Sequence, residues 1–242
     1  MIIDAHNHLG GPDVGDGRGQ TAAELVASMD ASGIDKAVIF PFNTPGGDGS
    51  FRDANDTIAA AVADHPDRLV GFGRVDPNKG ELALLEAERC FIEHRMSGLK
   101  LHPKAQDFPV SHPVVSELMR VVADYQAVVV FDSGTRIAPW QAFSSLAARY
   151  PHVTIIAAHM RGDGYLDAAQ LAPNLFLGTT DIKSGSRIEE AVSFIGPRQI
   201  ISGSDSPYIA QQVERDKIDS LDISDADKKL LAGENMRRLL HL

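Results

Sequence analysis

Eight short apolar runs, each followed by a stretch long enough for a helix, recur along the chain, and this alternation limits the fold more than any single motif. The runs are Ile2 to Ala5, Lys36 to Phe40, Leu69 to Arg74, Gly98 to His102, Ala127 to Asp132, Val153 to His159, Leu175 to Gly178 and Gln199 to Ser202. Most are near-continuous in apolar residues, as strands covered on both faces must be. The stretches between them carry helix punctuation. "TAAE" (Thr21 to Glu24) has the spacing of a capping box, and Gly33 can stop the helix that follows it. "SDADKKLLAGENMRRLLHL" predicts a C-terminal helical segment interrupted near Gly233. Repeated βα units without a long linker predict one α/β domain over residues 1–242, a (β/α)8 barrel. A doubly wound open sheet is the alternative, but no G-x-G-x-x-G or G-x-x-x-x-G-K-[ST] loop follows the first strand.

Composition narrows the partners. A chain of 242 residues with 43% hydrophobic content can bury a sizeable core. A net charge of −10 argues against nucleic acid and against anionic membrane surfaces. There is no apolar run of about 18 residues to span a membrane, and the opening lacks the basic and apolar regions of a secretory signal. One cysteine, Cys90, excludes an internal disulfide and fits a reducing compartment, so a cytoplasmic location is expected. The expected partner is a small-molecule substrate, with assembly into a homo-oligomer left open.

The polar residues that follow the apolar runs mark a site. "MIIDAHNHLG" places His6 and His8 two apart, and residues two apart share a face of a strand; Asp4 would share it as well. Such a pair is either a metal-ligand pair or two ordinary strand-end histidines. Asp132 ends the fifth run, His159 ends the sixth, and Asp205 lies just beyond the eighth. In barrels of this type the C-terminal strand tips converge on the active site, so four metal-capable tips on one rim point to a single centre. "GLKLHP" adds Lys100 and His102 on a common face, with an ion pair and a turn hydrogen bond as their ordinary alternatives. Arg161 follows "HM", and Arg136 lies in the loop after Asp132; either a bound carboxylate or plain solvation accounts for them.

The pieces "IDAHNHLG", "DASGIDKAVIFP", "HPDRLVGFGRVDPN", "SGLKLHP", "IIAAHM", "ISGSDSPY" and "LLAGENMRRLL" together resemble, in order, the amidohydrolase-related branch of the amidohydrolase superfamily. That branch holds metal-dependent hydrolases and decarboxylases of the aminocarboxymuconate-semialdehyde decarboxylase type. The resemblance covers nearly the whole chain and implies a distorted (β/α)8 TIM barrel with one divalent metal at its mouth. It implies His6 and His8 as ligands, Asp205 as ligand or catalytic base, and His159 as a group acting on substrate or water. The branch typically has histidine where this chain has Asp132. A carboxylate can also bind zinc, and it makes manganese or magnesium more plausible.

These readings lead to the expectation of a zinc-dependent hydrolase, with manganese or magnesium as alternatives to zinc. It would cleave an amide, lactone or ester-like bond of a small carboxylate-bearing molecule. The metal set would be His6, His8, Asp132 and Asp205, with Asp205 and His159 catalytic and Arg161, Lys100 and His102 holding substrate. Decarboxylation of an unsaturated or aromatic acid on the same scaffold is the second expectation. A barrel that binds a ligand without chemistry is the third.

Overall fold

The computed structural model describes residues 1–242 and contains eight parallel strands hydrogen-bonded in chain order, β1 to β8. The chain runs β1 (Ile3–Leu9), α1 (Ala22–Ser32), β2 (Lys36–Pro41), α2 (Arg52–Asp64), β3 (Leu69–Arg74) and α3 (Glu81–Ile92). It continues through β4 (Gly98–Leu101), α4 (Pro103–Gln106), α5 (Pro113–Asp124), β5 (Val128–Asp132), α6 (Trp140–Arg149), β6 (Thr154–Ala158) and α7 (Tyr165–Leu171). The last units are β7 (Leu175–Gly178), α8 (Gly185–Ile195), β8 (Ile200–Ile201), α9 (Gln211–Ser220), α10 (Asp225–Lys229) and α11 (Asn235–Leu239). A π-helical turn, Leu230–Glu234, joins the last two helices and contains the kink at Gly233. This is the TIM barrel expected from the sequence, with its C-terminal helical segment.

Local chemistry explains the element ends. Thr21 and Glu24 form the reciprocal capping box: the Glu24 carboxylate accepts from Thr21 N at 2.8 Å, and Thr21 Oγ1 accepts from Glu24 N at 3.2 Å. Gly33 closes α1 in the left-handed conformation at φ 64°, which a residue without Cβ adopts at little cost.

The barrel interior is filled. Ile3, Ala5, Val38, Phe40, Phe72, Val130 and Ile156 belong to one buried cluster, which Met236 of α11 joins from the strands' N-terminal end. Larger clusters pack the strands against the surrounding helices. With the interior occupied, space for a ligand remains only at an end.

The first strand departs from simple alternation. It extends to Leu9, and its register against β2 slips between Asp4 and Asn7: Asp4 pairs with Ala37, but Asn7 pairs with Ile39. Ala5 and His6 together face the single residue Val38, which is a β-bulge. The extra residue reverses the phase, so Ala5 faces inward below the bulge while His6 and His8 face inward above it. Asp4 therefore does not share the histidines' face, contrary to the strict period of two. It points outward into the seam that closes the barrel.

At that seam β8 and the chain after it return to β1. Ala5 N donates to Ser202 O at 3.0 Å, Asp205 N to His6 O at 2.9 Å, and His8 N to Ser206 O at 2.8 Å. Buried Asp4 accepts from Ser204 N at 2.9 Å, Ser204 Oγ at 2.6 Å and Gln211 Nε2 at 3.0 Å. Asn7 adds Nδ2 bonds to the Asp4 and Val38 carbonyls, both 3.1 Å, and bridges the slip in register. Replacing Asp4 with alanine strands these donors in a buried site. We expect Asp4→Ala to lower stability by about 2–4 kcal/mol in urea titration; a loss below about 1 kcal/mol would show that the seam does not depend on it.

Candidate active site

A cavity of about 350 Å³ opens at the C-terminal end of the strands. Its wall includes His6, His8, Arg74, Lys100, His102, Asp132, His159, Arg161, Asp205 and Tyr208. Every site residue expected from the sequence is therefore on one wall. Arg136, in contrast, is exposed and takes no part.

Within this wall, His6, His8 and Asp205 form the tightest group, each offering one donor atom within 4.8 Å of the others. Asp205 Oδ1 lies 3.4 Å from His6 Nε2 and 3.2 Å from His8 Nε2. Donors bound to one ion at about 2.0–2.2 Å must themselves stand about 3–3.5 Å apart, so this spacing fits a single divalent cation. The protonation states fit as well. Burial, reinforced by the Lys100 charge, holds the His6 imidazole well below its ordinary value, and burial lowers His8 despite its bond to Asp205. Burial, the largest single effect, raises the Asp205 carboxyl, but the His8 hydrogen bond together with the His8, His159 and Lys100 charges outweighs it and the net shift is downward. Two neutral imidazoles and a carboxylate are the forms a metal requires.

Backbone strain accompanies two of the tips. His159 and Asp205 sit at φ 64° and 73°, in the left-handed region, which costs a non-glycine residue about 1–3 kcal/mol. Close packing fixes a third residue: a Cβ at Gly203 would lie 2.6 Å from His6 Cβ, so glycine is needed there to leave the His6 ring in place.

Asp132 stands apart from the three-donor group. Its Oδ2 receives Arg161 Nη1 at 3.0 Å and His159 Nε2 at 3.1 Å, with His102 Nε2 at 3.8 Å, while buried Oδ1 has no partner. Burial pushes this carboxyl up, but the His159 hydrogen bond and the neighbouring His102, His159 and Arg161 charges pull it well below the usual range. Its anion is spent on cationic and N–H partners, which is why it does not join the metal-capable set as the sequence led us to expect.

The His159 ring is held at both nitrogens. Nδ1 lies 3.1 Å from the Thr180 carbonyl, which only accepts, and Nε2 faces the Asp132 carboxylate. Both ring nitrogens thus face oxygen atoms that can accept a hydrogen bond. His102 is fixed differently: its Nδ1 accepts from Ala105 N at 3.2 Å as α4 begins, so its N–H is at Nε2. Lys100 points past the mouth to His6, its Nζ 3.1 Å from Nε2 and 4.7 Å from the Phe40 ring centre; burial lowers it to about 7.

Sequence reading missed Arg74. The signal was available, because Phe72 faces the barrel interior and a period of two then turns Arg74 the same way. Of the aromatic residues in or near the loops that follow the strands, Tyr208 lines the cavity and Phe42 packs behind His8, with ring centres 5.1 Å apart. Trp140, Phe108 and Tyr165 are instead buried in the core between strands and helices.

Residues 3–242 match the family model described as Amidohydrolase. The chain belongs to the amidohydrolase family. It is 24% identical to a gamma-resorcylate decarboxylase of Polaromonas sp. strain JS666, over 79% of this chain and 76% of that one. Its fold matches a 5-carboxyvanillate decarboxylase from Sphingomonas paucimobilis at a TM-score of 0.80 and 15% identity, covering 100% of this chain and 99% of the other. It also matches a dihydroxybenzoic acid decarboxylase from the same Polaromonas strain, solved with manganese and 2-nitroresorcinol, at a TM-score of 0.72 and 18% identity, covering 100% and 97%.

These likenesses correct two expectations. Hydrolysis does not stand as the main reading, because the sequence relative and the fold neighbours are decarboxylases of aromatic acids. Zinc does not stand as the first-choice ion, because the neighbour described with a metal holds manganese. Both errors have one cause: the histidine and aspartate tips are shared by either chemistry and either ion. The relatives are enzymes, which also sets aside a barrel that only binds.

Removing Asp132 would leave His159 without its anion in a site where Asp132 itself is 2% exposed. We expect Asp132→Ala to cost about 3–5 kcal/mol by chemical denaturation of the metal-stripped protein. Wild-type stability in this variant would show that the carboxylate carries no structural charge pair.

Proposed function

We propose that this barrel, as one domain over residues 1–242, removes CO₂ without oxidation from a small hydroxylated aromatic carboxylic acid. His6, His8 and Asp205 hold a divalent ion for this reaction. The carrying observation is the placing of His159, whose Nε2 lies 3.1 Å from the Asp132 carboxylate and whose Nδ1 lies 3.1 Å from the Thr180 carbonyl, on the same cavity as the three donors. Loss of CO₂ from an aromatic ring needs an acid: a C–H bond must form at the carbon that loses the carboxylate. The pair from the broken C–C bond then returns to the ring. The decarboxylase relative supports the same reading.

Bound on these donors, a divalent ion supplies positive charge that orients and neutralises the acid's oxygens. Manganese is the ion we propose, on the mixed nitrogen and oxygen donor set and the manganese in the Polaromonas neighbour. His159 delivers its Nε2 proton to the ring carbon. Once it has done so, the neutral ring keeps its Nδ1–H on the Thr180 carbonyl and need not turn. Asp132, anchored by Arg161, positions the protonated imidazole before the transfer, and the Thr180 carbonyl holds the ring afterwards. Arg161 supplies a cation at the open side, and Lys100 and His102 offer N–H donors to substrate oxygen. Tyr208, Phe40 and Phe42 pack around His8 and give a flat apolar side to the centre. The cytoplasm remains the proposed location, on the single buried Cys90.

The test is CO₂ release from a panel of hydroxybenzoates and hydroxyisophthalates by the manganese-loaded protein. We expect equimolar CO₂ and decarboxylated phenol. His6→Ala should lose both the ion, by elemental analysis, and turnover. His159→Gln should keep the ion and lower kcat by about 10²–10⁴-fold. Full turnover in His159→Gln would overturn its role as acid, and an ion-loaded protein that releases no CO₂ across the panel would overturn the function.

A further inference from the structure

Arg74 is a buried cation with no ion-pair partner, and the Asp13, Asp76 and Asp132 charges act on it only from beyond contact distance. Its residue exposure is 1%, yet it forms no ion pair. Its contacts are all to neutral oxygen and all long: Nη1 to the Pro41 carbonyl at 3.3 Å, Nη2 to Asn43 Oδ1 at 3.4 Å and Nε to Gln106 Oε1 at 3.4 Å. The Phe51 ring centre lies 5.1 Å from its Cζ. Asp13 also lines the cavity, but its two oxygens are engaged by Asn43 N at 2.8 Å and Gly15 N at 2.7 Å. Burial lowers Arg74 only to about 10, so it stays charged at neutral pH.

Taking a guanidinium out of water costs several kcal/mol unless an anion compensates it. The other mouth cation with a guanidinium, Arg161, has its carboxylate in Asp132. Arg74 lines the same cavity from β3, two strands round the barrel from His6 and His8 on β1 and away from Asp205. One carboxylate of a substrate placed at the three-donor group would leave Arg74 free for a different group.

We propose that Arg74 binds a second carboxylate on the substrate, distinct from the one that leaves as CO₂, so that the preferred substrate class is an aromatic dicarboxylic acid. This rests on the decarboxylase reading for the fate of the first carboxylate. A planar guanidinium with five N–H donors matches a carboxylate in two-point fashion, and its present long contacts can be exchanged for shorter charged ones. Arg74 is on this reading a specificity-determining residue and takes no part in proton transfer.

The test is calorimetric binding of two unreactive acids, isophthalate and benzoate, to the manganese-loaded protein and its Arg74 variants. Neither acid has the hydroxyl group that activates the ring. The wild type should bind isophthalate about 10- to 100-fold more tightly than benzoate, the range for a charged hydrogen-bonded contact. Arg74→Met should reduce that preference to near one while leaving benzoate affinity within about twofold. Arg74→Lys, which keeps the charge but loses the fork, should fall between; it decides the matter if the methionine variant fails to fold by circular dichroism. Equal wild-type affinities, no isophthalate binding at millimolar concentration, or a preference that survives in both variants would overturn the proposal. CO₂ assays separate the two readings. An Arg74-dependent preference without CO₂ release from hydroxyisophthalates overturns decarboxylation alone, whereas CO₂ release without the preference overturns the role of Arg74 alone.

Discussion

The bulge in β1 is the constraint on which the site depends. Without the extra residue, a strand that buries Ile3 and Ala5 in the barrel would turn His6 and His8 outward among the helices. With it, both apolar residues below and both imidazoles above face the axis. A bulge leaves ladder positions unpaired and is kept only where something compensates. Here Asn7 bridges to Val38, and Asp4 is gripped by Ser204 and Gln211. The same residues tie β1 to the segment that carries Asp205. One polar network thus fixes the spacing between donors that are about 200 residues apart in the chain, and the tight spacing of the three donors follows from how the barrel is closed.

Charge is distributed unevenly around the mouth. Asp132 collects His159, Arg161 and His102 on the β5 and β6 side, and Asp205 serves the two first-strand histidines. Arg74 and Lys100, on β3 and β4, have no carboxylate of their own within the wall. A cavity with paired charges on one side and unpaired cations on the other binds an anion in one orientation, because only one end of it meets uncompensated positive charge.

Much of this was legible in the sequence, because much of it follows from period and position. Eight apolar runs predicted the barrel, and residues after those runs had to gather at one rim. The capping box at Thr21 and the interruption near Gly233 are local patterns and appeared where expected. The phase reversal in β1 was not legible, since a bulge is a property of two strands in register. Nor was the fate of Trp140, Phe108 and Tyr165, which stand near rim loops in the chain but turn into the helix layer. Arg74 was overlooked although its phase was readable from Phe72, because a lone charge at a strand end reads as the start of a loop. The choice between hydrolysis and decarboxylation lies with the atoms a substrate presents, and tip residues common to both carry no information about it.

The carboxylate at the end of β5 gives the departure from the family pattern a chemical sense. Asp132 puts a carboxylate against His159 Nε2, and the same carboxylate oxygen also accepts from Arg161. Three donors, two imidazoles and one carboxylate, remain close enough together to share one cation. On the proposed decarboxylation, a carboxylate at this tip would serve the acid rather than the ion, because the step to be assisted is protonation of a ring that is about to lose CO₂.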